Sequence, residues 1–123
     1  MVYFFVDDDA DDQEIFGLAI AELDGTATCR FANDGLEALE ALQDESFTPS
    51  LIFIDLNMPR MNGNECLAEL KKLERLSKVP IFIYSTSSDP KLIAASKALG
   101  ADDFIVKPSG FQALTEILKK LTQ

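Results

Sequence analysis

Val2-Tyr-Phe-Phe-Val6 runs straight into Asp7-Asp8-Asp9. Leu51-Ile-Phe-Ile54 stops as abruptly at Asp55, and Phe104-Ile-Val106 stops at Lys107. Continuous apolar runs of this length, without alternation, suit strands buried on both faces of a parallel sheet. Such sheets bind ligands just beyond the carboxyl ends of their strands. Three strands therefore deliver carboxylate, carboxylate and ammonium to one edge of one sheet. A charged cluster there is costly unless it holds something ionic. The candidates are a divalent cation and an anion that the lysine neutralises.

Helix-period segments fill the gaps between the runs. Ile15, Leu18, Ala19 and Leu23 repeat with helical spacing and stop at Gly25, and Thr26 to Ala32 reads as a weaker strand. Asp34 followed by Glu37 is a capping-box pattern opening a helix with Leu36, Leu39 and Leu42. Asn62 and Glu65 cap a helix bearing Leu67, Leu70, Leu73 and Leu76. Pro80 precedes the strand Ile81-Phe-Ile-Tyr84, and Asp89-Pro90 is a good N-cap and first-turn pair for a helix that closes at Gly100. Asp103 to Val106 is the fifth strand, and Ser109 with Gln112 caps a last helix through Leu121.

The order is βα repeated five times. Right-handed crossovers place helices on both faces of the sheet. The expected fold is α/β, a doubly wound (βα)5 three-layer sandwich of the flavodoxin-like kind. A strand order of 2-1-3-4-5 puts the first and third strands side by side at the switch point, which brings Asp7, Asp8 and Asp55 together.

At 123 residues the chain is expected to form one domain over 1–123, large enough to bury a core without staples. Hydrophobic content of 47% with 26% charged residues is globular, neither disordered nor membrane-spanning. No apolar run approaches the ~20 residues that cross a bilayer. The first residues lack a basic region and a cleavage site, so Val2 to Val6 reads as a strand and not a signal peptide. A cytoplasmic location is expected, with no membrane partner. The net charge of −10 argues against direct nucleic-acid binding, because the phosphate backbone would be repelled. Asp11 and Asp12 read as a solvated helix start. Cys29 and Cys66 have no metal-ligand spacing and read as small apolar fillers in a reducing compartment. With no histidine, imidazole chemistry and typical zinc sites are excluded.

An aspartate can act as a nucleophile toward phosphorus, forming an acyl phosphate. The incoming negative charge must then be neutralised on several sides. Magnesium suits the task, since it prefers a few carboxylates, retains waters and shares oxygens with a phosphate; manganese is a plausible substitute. Asp8 and Asp55 can be direct ligands, Asp7 can hold a metal-bound water, and the Asn57 backbone carbonyl completes the set. Lys107 supplies a positive charge opposite the metal. The hydroxyls of Ser85 and Thr86 can donate to a phosphate oxygen.

These residues resemble a response-regulator receiver domain, the phospho-acceptor module of two-component signalling. The resemblance covers essentially the whole chain. It rests on Val6-Asp7-Asp8, Asp55-Leu-Asn-Met-Pro59, Ser85-Thr86 and Lys107-Pro108, each after a strand and in order. It implies that Asp55 is the phosphorylation site and that Asp7, Asp8 and Asp55 bind magnesium. It places the strand-four hydroxyl on Ser85, the switch aromatic on Phe104 and the lysine on Lys107, with a cis Lys107–Pro108 bond. It also implies a sensor histidine kinase or histidine phosphotransfer protein as donor, and an unnamed downstream protein target. The contact face would lie around the fourth helix, fifth strand and fifth helix. Slow autodephosphorylation, not enzymatic turnover, is expected. With no further domain after Gln123, any output is expected to pass through noncovalent partners. Thr86 stands where alanine or another small residue is frequent, and narrows access to the phosphate. Asp9 extends the acidic pair and is expected to begin the first helix.

Three other readings compete. A phosphohydrolase of the haloacid-dehalogenase type would use Asp7-x-Asp9, with Asp102-Asp103 as a later acidic pair, but Gly-Thr does not follow Asp9 and the chain is short for that fold with its cap. In a calcium loop, Asp7, Asp9 and Asp11 would alternate, but Asp12 replaces the needed glycine and Leu18 the closing glutamate. A pseudo-receiver docking module would take no phosphate; the intact Asp8, Asp55 and Lys107 set argues against it.

Overall fold

The first two apolar runs are buried on both faces, as their lack of alternation requires, while the third buries Phe104 and Ile105 but leaves Val106 exposed. The structure, a computed structural model, describes residues 1–122; Gln123, the last residue of the expected domain, lies outside them. Among these residues five strands, β1 (Val2–Val6), β2 (Thr28–Ala32), β3 (Leu51–Asp55), β4 (Ile81–Ser85) and β5 (Asp103–Val106), alternate with five helices. The helices are α1 (Ala10–Leu23), α2 (Gly35–Leu42), α3 (Gly63–Leu70), α4 (Pro90–Ala98) and α5 (Phe111–Leu121), and a short 3₁₀ turn covers Glu74–Leu76.

The sheet is parallel with the order β2-β1-β3-β4-β5. Side chains alternate across it. Phe4, Val6, Ile52, Ile54, Ile81, Ile83 and Phe104 face one way and pack with Ala38 and Leu42 of α2 and Cys66, Leu67 and Leu70 of α3. Tyr3, Phe5, Phe53, Phe82, Tyr84 and Ile105 face the other way, toward Phe16 and Ile20 of α1 and Leu114 and Leu118 of α5. On that side Phe16 stacks on Phe5 with centroids 4.2 Å apart and meets Phe53 edge-on at 5.0 Å. Aromatic pairs of this kind add to the area they bury. No described helix is long and apolar enough to cross a membrane.

Local signals mostly act as expected. Asp9 caps α1, Asp34 caps α2, and Asp89 caps α4 with Pro90 in its first turn. Asn62 and Glu65 form a complete capping box on α3. Gly100 ends α4 at φ 105, where a side chain would be strained. Cys29 and Cys66 are free.

Several boundaries and faces differ from the sequence reading. Ile15 and Leu18 of α1 are exposed while Phe16 and Ile20 are buried, because α1 follows its aromatic contacts to the sheet. On α2 it is Ala38 and Leu42 that are buried, and Leu36 is exposed. Asp34 accepts the Glu37 N–H, but the Glu37 carboxylate turns to the Asn33 N–H, so the box is half formed. The expected helix through Leu76 ends at Leu70, and Leu76 is buried from the 3₁₀ turn. Gly110, not Ser109, precedes α5, at φ 97, and no side chain caps that helix.

Candidate phospho-acceptor site

Register decides what meets at the carboxyl edge. Val6 pairs with Ile54 and Asp55 pairs with Tyr84. Asp7, one residue past the end of β1, therefore arrives beside Asp55, the last residue of β3. Ser85 pairs with Val106, the last residue of β5, so Lys107 comes one residue past the strand. The Lys107 N–H donates to the Ser85 carbonyl at 2.7 Å and continues the pairing just past the strand.

Asp7, Asp8 and Asp55 each offer a carboxylate oxygen within 4.8 Å of the others. Asp7 is fully buried, Asp55 is buried, and Asp8 is exposed. Both oxygens of Asp7 are engaged: Oδ1 accepts the Asp9 N–H at 2.9 Å and Oδ2 accepts from Lys107 Nζ at 3.0 Å. Lys107 Nζ also donates to Asp12 Oδ2 at 2.7 Å, and lies 3.5 Å from Asp55 Oδ1. Three carboxylates, of Asp7, Asp12 and Asp55, thus surround one ammonium, and Asp8 adds a fourth negative charge beside Asp7 and Asp55. This oxygen-only donor set, with excess negative charge, fits a hard divalent cation.

The electrostatics reflect that imbalance. Burial, then the neighbouring Asp7 charge, pushes the Asp55 carboxyl up to about 6 against the pull of Lys107. Burial raises the Asp7 carboxyl as well, although the Asp9 N–H and Lys107 act against it. Burial works against the Lys107 ammonium, but hydrogen bonds to Asp12 and Asp7 override it and raise its pKa. These are desolvation and charge effects of opposite sign in one site.

Other expected site residues occupy distinct places. Ser85 is fully buried and its Oγ accepts the Ser87 N–H at 3.1 Å. Thr86 and Asn57 are exposed in the loops after β4 and β3. Phe104 is buried in the sheet face toward α3. Asp9 caps α1, its Oδ1 accepting from the Asp11 and Asp12 N–H groups, and it stands outside the carboxylate group of Asp7, Asp8 and Asp55 rather than pairing with Asp7 as a dehalogenase-type or calcium-loop site would have it.

The expected cis Lys107–Pro108 bond is corrected: no cis peptide bond occurs among the described residues. Trans is the intrinsically preferred form even before proline. It already allows the Lys107 N–H to reach Ser85 and the ammonium to reach Asp7 and Asp12.

Two features were not anticipated. Asp12, read as solvated, is the carboxylate nearest Lys107. Arg60, in the loop after Asp55, takes a left-handed φ of 64 and binds the buried Asp34 through Nε at 2.8 Å and through Nη2. Neither contact had a signal in local sequence, since each joins segments far apart in the chain.

The model of the response regulator receiver domain matches residues 4–119. The chain belongs to that family. As a receiver domain it is a module of two-component signalling. The receiver's structural neighbours include the phosphorylated cyanobacterial phytochrome response regulator RcpA, at a TM-score of 0.89 and 30% identity over 98% of this chain and 89% of that one. The Mn2+-bound form of response regulator Rcp1 superposes with a TM-score of 0.85 at 26% identity, covering 98% of this chain and 90% of that one. A protein-glutamate methylesterase/protein-glutamine glutaminase of Methanospirillum hungatei is 38% identical over 86 residues, 70% of this receiver domain and 25% of that protein. This receiver spans 25% to 50% of the length of several curated relatives it matches.

Proposed function

We propose that this receiver domain takes a phosphoryl group onto Asp55 from a phosphohistidine and changes its surface for a protein partner. The observation that carries the reading is the position of Asp55: buried at the end of central β3, grouped with Asp7 and Asp8, and 3.5 Å from Lys107. One Asp55 carboxylate oxygen forms the new O–P bond. The bond from phosphorus to the donor nitrogen breaks, and the electron pair leaves with the donor imidazole.

Asp8 and Asp55 would hold the cation directly, with the Asn57 carbonyl, while Asp7 would act through water. The hydrogen bonds already on both Asp7 oxygens support that division, as does the solvent-exposed Asp8. Bound magnesium, or manganese in its place, supplies positive charge that offsets repulsion between the phosphoryl oxygens and the carboxylates. Lys107 donates to a phosphoryl oxygen from the β5 side, and Ser85 and Thr86 donate from the β4 side. To do so the Ser85 hydroxyl moves inward, and Phe104 turns toward the space it leaves. That is a population shift between two packings, seen by partners at α4, β5 and α5.

In this reading the chain acts as one domain over 1–123, is not a turnover enzyme, and works in the cytoplasm. The donor is a sensor histidine kinase or a histidine phosphotransfer protein. The test is to mix the protein with a panel of phosphorylated transmitter and phosphotransfer domains and time the loss of phosphohistidine. Transfer to wild type and none to Asp55→Asn is expected. Transfer at equal rates to both proteins would refute the reading.

A further inference from the structure

The Lys107 ammonium is not closest to the aspartate it is read as serving. Its Nζ lies 2.7 Å from Asp12, 3.0 Å from Asp7 and 3.5 Å from Asp55. Asp12 sits in the first turn of α1 and is not one of the three carboxylates grouped for a cation. Its own N–H is tied to the Asp9 carboxylate at 3.2 Å, so the helix cap fixes where it stands. The lysine side chain is 13% exposed and the Asp12 side chain 34%, which leaves the pair only partly screened by water. An ammonium has three protons to donate. Two go to Asp7 and Asp12, and the third is left for Asp55.

We propose that Asp12 is a positioning residue that competes with Asp55 for the Lys107 ammonium and so slows phosphoryl acceptance. The proposal rests on Asp55 being the acceptor. During transfer Lys107 has to turn donor capacity toward a phosphoryl oxygen, where negative charge gathers. Asp12 opposes this by holding the ammonium at 2.7 Å, and by adding a carboxylate that an anionic donor must approach. Asp7 also holds the ammonium, at 3.0 Å, but it belongs to the cation group, so only Asp12 separates competition for Lys107 from cation binding. A partly exposed ion pair of this kind is strong enough to alter the rate by about fivefold. Asp11 offers the control: it has the same charge and lies in the same turn, but is exposed and forms no ion pair with Lys107.

The experiment uses acetyl phosphate with magnesium on wild type, Asp12→Asn, Asp12→Ala and Asp11→Asn. It reads the second-order rate of phosphorylation at Asp55 and, without donor, the proton–nitrogen resonance of the Lys107 ammonium. Both Asp12 variants are expected to accept phosphate about fivefold faster, with the ammonium resonance displaced. Asp11→Asn is expected to match wild type in both readouts. Wild-type rates in the Asp12 variants overturn the proposal, and so does equal acceleration in Asp11→Asn, which would reduce the effect to diffuse charge. Wild type taking no phosphate on Asp55 overturns the underlying reading instead, and the proposal with it.

Discussion

A methyl group on Gly63 would overlap the carbonyl oxygen of Asp55 and lie 2.8 Å from the Cα of Leu56. The Gly63 N–H also donates to the Leu56 carbonyl at 2.8 Å. The first turn of α3 therefore packs directly on the backbone that presents Asp55. Gly63→Ala should destabilise the fold by about 2–4 kcal/mol, because a backbone neighbour cannot step aside cheaply. Denaturant unfolding measures this. A loss near zero would show that the loop after β3 has slack.

Arg60 joins the same loop to the start of α2. Asp34 accepts from Arg60 on Oδ2 and from the Glu37 N–H on Oδ1, so one carboxylate both caps a helix and pins the loop. Although burial opposes it, these partners hold the Asp34 carboxyl below its ordinary range. Arg60→Gly and Arg60→Ala both lose the ion pair, but only alanine keeps the strain of a left-handed φ. The glycine variant should be the more stable by about 0.5–1 kcal/mol. Thermal unfolding of the two variants side by side gives the order, and alanine as the more stable would mean the loop relaxes once the arginine is gone.

Asp55 also carries a pH signature. Its folded pKa of about 6 stands above the ordinary 3.8. A raised carboxyl contributes stability fully below the unfolded pKa, and that contribution is lost as pH rises through the folded one. Ionised Asp55 therefore weakens the metal-free protein at neutral pH, and asparagine does not. Asp55→Asn should be more stable than wild type by about 1–3 kcal/mol at neutral pH in chelator, with the gain gone below about pH 4. The Asp34 carboxyl works in the opposite direction, but it is common to both proteins and cancels in the comparison. A pH-independent gain would contradict the assignment of the shift.

Much of this was legible in the chain because burial on both faces leaves a plain mark. β1, β3 and β4 read directly as unbroken apolar runs, and the charged residue ending β1, β3 or β5 marked the site edge. β2 was faint because it lies at the sheet edge, with Thr28, Arg30 and Phe31 exposed. The phase of α1 is ambiguous in the sequence because Ile15, Phe16, Leu18, Ala19, Ile20 and Leu23 spread apolar surface around it. Which stripe faces inward is decided by Phe16 stacking on Phe5, a contact between separate elements. Asp12 was hidden for the same reason. A first-turn aspartate is usually solvated, and only the end of β5 gives it a lysine.

The carboxylate cluster predicts metal-linked stability. A cation that binds only the folded chain stabilises it by about 2.7 kcal/mol at ~100 times its Kd. Magnesium should raise the melting temperature of wild type, and Asp8→Ala should abolish most of that rise. The variant alone should be no less stable than wild type in chelator, since one of three repelling carboxylates is gone. An undiminished rise in Asp8→Ala would place the metal elsewhere.

The most direct measurement is the location of the phosphoryl group itself. The protein is treated with acetyl phosphate and magnesium, and the modified residue is mapped by mass spectrometry in wild type and Asp55→Asn. The predicted result is one phosphoryl group per chain, on Asp55, and none in the variant. Phosphate persisting at the wild-type level in Asp55→Asn would contradict the assignment of Asp55 as acceptor.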